Sequence, residues 1–246
     1  MGENTAISWC DHTFSPWWGC TKVGAGCQHC YAETLAKRFG VGWGPEVQRR
    51  IFGDHHWNDP IRWDRKAAKQ GTRAKVFCGS MCDVFEDRPE LREMRVRLFG
   101  MVEETQWLDW LFLTKRPQNV MGKIPSTWAV SFPRNVWLGC TVEDRAALSR
   151  LDDLRATPAA LRFLSCEPLL EDLGPVDLTG IGWVIAGCES GPHARPTPAG
   201  AFESLCMQCR LLEVPFFLKQ AMDGGRLNHE PTINGRAWRE MPEGAT

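Results

Sequence analysis

Short apolar runs recur along the chain, each closed by glycine or polar residues and followed by a stretch with helical spacing. The clearest are Lys75–Cys78, Trp110–Leu113, Val136–Gly139, Arg162–Ser165, Gly182–Ala186 and Val214–Leu218, and a strand within residues 6–16 makes about seven. These runs are almost continuously apolar, which suits parallel strands covered on both faces. Between them, Leu91, Met94, Leu98 and Met101 fall three and four apart, as do Ala147, Leu148, Leu151 and Leu154. Phe202, Leu205, Met207, Leu211 and Leu212 give a broader apolar face within residues 199–213. Stripes of that period are helices laid on a sheet. Strands alternating with helices predict an α/β fold with right-handed crossovers.

The ends of the runs carry the polar chemistry. Each is followed by a cluster: Cys78 to Asp83, Thr114 to Arg116, Cys140 to Glu143, Ser165 to Glu167, Gly187 to Ser190, and Lys219 with Gln220. Six such clusters at equivalent places predict a partial (β/α) TIM-like barrel of six or seven parallel strands, whose C-terminal ends share one mouth. Carboxylates (Glu167, Glu189) and cations (Lys115, Arg116, Lys219) at one mouth suit a polar or phosphorylated ligand; equally, they can pair with one another and shape it. Residues 40–72 break the rhythm and read as an inserted loop in a single domain spanning residues 1–246.

Composition narrows the class. With 246 residues, 43% hydrophobic and 24% charged, the chain has the make-up of a folded domain with one substantial core. A net charge of −1 supplies no global field to hold nucleic acid. No apolar run approaches a membrane span, and the start lacks the basic and apolar regions of a signal peptide, so a soluble cytoplasmic protein is expected. Eleven cysteines, an odd number, argue for buried or metal-bound thiols over a disulfide scaffold. Trp17, Trp18 and the tryptophans of 43–63 lie among Arg49, Arg50, Arg62 and Arg65. Aromatic faces with guanidinium groups hold unpaired bases, although tryptophans more often fill cores. His55, His56 and His193 have no ligand spacing and read as exposed loop residues.

The most informative segment runs from Trp17 to Glu33. Cys20, Cys27 and Cys30 are spaced Cys-x6-Cys-x2-Cys in a glycine-containing loop that leads into a helix starting near Cys27. A helix N-terminus lowers thiolate pKa and favours an anionic cluster there. Structural zinc is nearly always closed by a fourth protein ligand, and Cys10 or His12 is available for that. Three thiolates alone suit a 4Fe–4S cube with one open iron. Cys206 and Cys209 form a second Cys-x2-Cys inside an apolar helical pattern and read as core packing.

The cysteine loop resembles that of radical SAM enzymes, and Cys27-Gln28-His29-Cys30-Tyr31 is similar to the ending found in the spore photoproduct lyase-like branch. The chain also resembles a phage and prophage family named for its three-Cys motif. That resemblance rests on Ser15 to Cys20, Leu113 to Pro117, Cys166 to Leu169, Gly187 to Gly191 and Phe217 to Gln220. It implies a barrel of the radical SAM type in which Cys20, Cys27 and Cys30 hold a 4Fe–4S cluster and the open iron chelates S-adenosylmethionine. Reductive cleavage would then yield a 5′-deoxyadenosyl radical, here to modify or repair a nucleobase or nucleic acid, with a reductant such as flavodoxin or ferredoxin. His29 stands where an aromatic residue contacts adenine, and Thr141 and Glu143 where ribose contacts are expected. Ser165 and Glu167 join them as cofactor-side residues. The usual Gly-Gly-Glu after the second strand is replaced by Gly79-Ser80-Met81-Cys82-Asp83, which leaves Ser80 or Asp83 for the cofactor's amino group. Two different classes remain alongside: a nucleic-acid-binding protein with a structural Fe–S or zinc site, and a barrel adaptor without catalysis.

Overall fold

In the computed structural model, residues 2–191 and 193–243 are described. Among them, seven parallel strands lie side by side in chain order: β1 (His12–Phe14), β2 (Ala74–Cys78), β3 (Leu108–Thr114), β4 (Val136–Thr141), β5 (Leu161–Cys166), β6 (Trp183–Gly187) and β7 (Phe216–Asp223). A further strand, β8 (Arg226–Asn228), turns back antiparallel on β7. Strands that follow chain order across a sheet wind as a barrel does, without the reversal of a doubly wound sheet. Here β1 and β8 are the two edges, so the curled sheet is a half-barrel. The predicted partial barrel is therefore the fold, with β8 as the addition.

Alternation along the strands sorts the core. Val76, Cys78, Trp110, Phe112, Leu138, Cys140, Leu164 and Cys166 share one cluster with helix residues Trp57, Trp63, Leu98, Phe99 and Val102. Phe77, Leu111, Trp137, Phe163, Trp183, Ile185 and Phe217 point the other way and form an inner layer under Trp9. Gly139 is part of that layer by default: a Cβ there would sit 2.4 Å from the Phe163 ring. Trp17, Trp57 and Trp63 are fully or almost fully buried, so most of the Trp-rich segment is core. Trp18 and Trp43, both half-buried, are the exceptions, and the Arg50 guanidinium lies 5.4 Å from the Trp18 ring centroid.

The helices are α1 (Tyr31–Arg38), α2 (Asp54–Gln70), α3 (Arg92–Glu104), α4 (Ser126–Val130), α5 (Arg150–Arg155) and α6 (Ala201–Leu211). Residues 40–72 are thus not a loop throughout: α2 occupies much of them and buries Trp57, Pro60, Trp63 and Ala67 on one side. A proline inside the helix disguises the stripe, and Gly71 at φ +64° ends it. His56 is likewise not free in solvent; it stacks on Phe14 at 4.6 Å and its Nε2 lies 2.9 Å from the Ser15 carbonyl. On α6 the buried stripe is Leu205, Cys206 and Cys209, whereas Met207, Leu211 and Leu212 are exposed. The two cysteines are packing residues, and burial pushes their thiols up to about 11 and about 12. Among the described residues, no helix is long and apolar enough to cross a membrane.

Candidate functional site

The three-cysteine loop lies across the C-terminal ends of the strands and is bonded to four of them. After β2, Met81 O accepts from Gly19 N–H at 3.0 Å and Ser80 O accepts from the Tyr31 hydroxyl at 2.8 Å. After β3, Arg116 Nη2 donates to Thr21 O at 2.6 Å and Nη1 approaches Cys20 Sγ at 3.8 Å. After β4, Glu143 Oε1 accepts from Gly26 N–H at 3.3 Å. After β6, Glu189 Oε2 lies 3.0 Å from His29 Nδ1. Arg195, further along the same loop, donates to Ala25 O at 3.0 Å and Gln28 Oε1 at 3.2 Å. Glycine is what permits the approach to Glu143, since a Cβ on Gly26 would meet its carboxyl at 3.0 Å.

The charges at the mouth are spent largely on one another. Asp83 and Arg116 pair at 2.8 Å, Glu143 and Arg150 at 2.7 Å, Glu167 and Lys219 at 2.7 Å, and Glu189 and Arg195 at 2.5 Å. Lys115 sits looser, 3.9 Å from Glu143. The Glu167–Lys219 bridge spans β6 over Gly187, where a Cβ would come within 3.0 Å of Glu167 Oε2. Burial alone would raise the Glu189 carboxyl, but hydrogen bonds from the Arg195 side chain and backbone N–H and from His29 hold it down at about 2. Burial also pushes the Glu143 carboxyl up, and Lys115 and Arg150 together keep it below the ordinary carboxylate range.

The cysteines themselves are free thiols. Cys27 closes a short 3-10 turn, Ala25–Cys27, and Cys30 is the residue before α1, so the helix begins later than the spacing predicts. At Cys20 and Cys30 the thiol is raised, not lowered. Burial pushes Cys20 up to about 12, with Asp83 adding to it and Arg116 opposing, and burial also raises Cys30. At Cys30 desolvation outweighs the N-terminus of α1. His12 is turned away, stacked on Trp63 at 4.5 Å with Nδ1 accepting from Asn4 N–H. The Cys10 thiol lies 3.9 Å from the Ile7 carbonyl. Among the described residues, no group of three His, Cys, Asp or Glu side chains is gathered closely enough to hold a single ion.

A family description, a protein of unknown function (DUF5131), matches residues 4–242. The chain belongs to that family. No curated protein matches this DUF5131 member. Among solved structures it is similar to a spore photoproduct lyase mutant with bound AdoMet and dinucleoside spore photoproduct. The TM-score is 0.52 at 11% identity, over 92% of this chain and 68% of that one. A second spore photoproduct lyase mutant, with the dinucleoside spore photoproduct, gives a TM-score of 0.51 at 11% identity over the same shares. At that identity the likeness is one of fold: this DUF5131 chain shares a curled half-barrel with spore photoproduct lyase.

The residues predicted at the mouth are mostly brought to it. Ser80 is buried, its Oγ 3.3 Å from Ser15 Oγ. Thr141 and Ser165 are register partners at the ends of β4 and β5, and both are buried. Asp83 and Glu143 are fixed in ion pairs beneath the cysteine loop, and His29 is held by Glu189. Arg150 and Arg195 carry no signal in the sequence, and Ser15, although inside the Ser15 to Cys20 motif, was given no role. Tyr31, the sole tyrosine and next to Cys30, was visible but given no role. Beside the loop, Val23 to Ala25, Lys115, Arg116, Gln118, Glu143 and Arg150 help line a cleft of about 520 Å³.

Proposed function

We propose that this protein is a radical SAM enzyme whose substrate is a nucleobase, free or within a nucleic acid. The observation that carries the reading is the placement of three free thiols, Cys20, Cys27 and Cys30, on one loop anchored to four strand ends of a half-barrel. The donor set fits a 4Fe–4S cluster: three soft sulfurs in one loop, with Cys10 and His12 directed to other partners. When bound, the cluster and S-adenosylmethionine supply a 5′-deoxyadenosyl radical by one-electron reductive cleavage.

This chain's own residues bind, orient and shield. Cys20, Cys27 and Cys30 hold the metal group; Arg116, Glu143, Glu189 and Arg195 fix the loop that presents it. His29, Ser80, Thr141, Ser165 and Glu167 are the residues proposed to face the cofactor, and Lys115, Glu189 and Lys219 the substrate. The inner aromatic layer under Trp9 keeps water from beneath the mouth. Support for a nucleobase comes from the fold neighbours, which hold a dinucleoside photoproduct. A reducing cytoplasm and a flavodoxin or ferredoxin donor go with eleven free cysteines and this chemistry.

The test is anaerobic reconstitution followed by iron analysis and turnover. A brown protein with about four irons per chain and broad absorbance near ~400 nm is expected. Dithionite plus S-adenosylmethionine should release 5′-deoxyadenosine, and DNA, RNA or a nucleoside should stimulate release. Single alanine substitutions at Cys20, Cys27 or Cys30 should abolish iron uptake while Cys206→Ala should not. A colourless protein with one zinc would overturn the reading in favour of a binding module.

A further inference from the structure

We propose that Arg116 is a positioning residue that sets the reduction potential of the metal group on Cys20; this rests on the cluster reading above. The guanidinium is buried, 7% exposed, and is engaged on three sides. Nη2 donates to Thr21 O at 2.6 Å, and Nη1 lies 2.8 Å from Asp83 Oδ2 and 3.8 Å from Cys20 Sγ. Asp83 is itself immobile: Oδ1 accepts from Thr114 Oγ1 at 2.7 Å and Phe85 N–H at 3.0 Å, and Oδ2 from Lys115 N–H at 3.1 Å. The other cations that pin the loop reach different atoms. Arg49 bonds the Thr21 hydroxyl, Arg150 the Glu143 carboxylate, and Arg195 Ala25 O and Gln28. Arg116 thus brings a permanent positive charge to a ligand sulfur.

A cluster that accepts one electron gains a negative charge. A fixed cation, and an N–H aimed at a ligand sulfur, favour that reduced state, and in a buried site the effect is stronger than in water. Asp83 opposes it, but the guanidinium nitrogen that contacts Asp83 is also the one nearest the sulfur. Taking the arginine away therefore removes a cation and also leaves a buried carboxylate facing Cys20. The electron comes from an external low-potential one-electron donor, dithionite in the assay.

The full chain is reconstituted anaerobically and its midpoint potential read by a spectroscopically monitored titration, for wild type, Arg116→Lys, Arg116→Gln and Asp83→Asn/Arg116→Gln. Expected is a lower midpoint in Arg116→Gln at unchanged iron content, a return toward wild type in the double variant, and an intermediate value in Arg116→Lys. An iron-replete Arg116→Gln protein with the wild-type midpoint would overturn the inference and leave the cluster reading standing. Should Arg116→Gln fail to load iron, loading regained in the double variant upholds the electrostatic role, and failure of both overturns it. A wild-type chain without a cluster would sink both readings together.

Discussion

Replacing Glu143 by glutamine probes how the cysteine loop is held. The side chain is 1% exposed and its carboxylate receives Arg150 at 2.7 Å, Gly26 N–H at 3.3 Å and the Lys115 ammonium at 3.9 Å. Glutamine keeps the shape and the acceptor for Gly26 but leaves Arg150 charged with the Thr141 carbonyl as its remaining partner, at 2.6 Å. Breaking a fully buried pair from one side costs about 3–5 kcal/mol. The Arg150 side chain is 15% exposed, so water and Thr141 recover part of that, and about 2–3 kcal/mol is expected. For a chain of this size that lowers Tm by roughly 4–12 °C. Urea denaturation at pH 7 measures it, and exchange of the Gly26 amide shows whether the loop loosens. Glu143→Gln/Arg150→Met should cost less than the sum of the single changes, by about 1 kcal/mol or more. A Glu143→Gln protein within ~0.5 kcal/mol of wild type would refute the reasoning, because that is the size expected of an exposed pair.

Further outcomes follow from the same geometry. Gly139→Ala forces a methyl into the Phe163 ring and should cost about 1–3 kcal/mol in urea denaturation, with Phe163→Leu relieving part of the loss. Trp183→Ala empties the centre of the inner layer, a fully buried site, and should cost about 3–5 kcal/mol by the same measurement. Glu189, held at about 2, contributes stability that is complete above its unfolded value of about 4.3 and is lost as pH falls toward the folded one. Acid titration of Glu189→Gln should accordingly be flatter than wild type across that interval, and equal slopes would remove the Arg195–Glu189–His29 link from the account.

The fold was legible because strand periodicity is local: the buried runs are closed by glycines or polar residues, most are followed by a helix, and seven such strands in chain order admit few topologies. The helix in residues 54–70 was hidden because its stripe is built of Trp57, Pro60 and Trp63, residue types that read as loop. The broad apolar face expected on α6 failed for a different reason. Cys206 and Cys209 take the buried positions that leucines would normally fill, so Leu211 and Leu212 are left outside. Cys20, Cys27 and Cys30 declare themselves through spacing, and the polar strand ends through position. Who pairs with whom at the mouth was not legible. Glu143 closes a strand-end cluster while Arg150, seven residues on, begins a helix, and Arg195 lies in a Gly-Pro-rich turn with no periodicity to orient it. The raised Cys30 thiol was not legible, because burial, which a sequence does not show, outweighs the helix terminus, which it does.

The ties on the cysteine loop have a consequence for biosynthesis. Gly26 is fastened by a residue 117 positions downstream and His29 by one 160 downstream, so the loop takes its final form only when most of the chain has emerged and closed. Iron delivered to a partly synthesised polypeptide would meet three thiols on a slack tether. Under the proposed cluster function, loading of the loop would thus be post-translational, gated by completion of the sheet and not by appearance of the ligands.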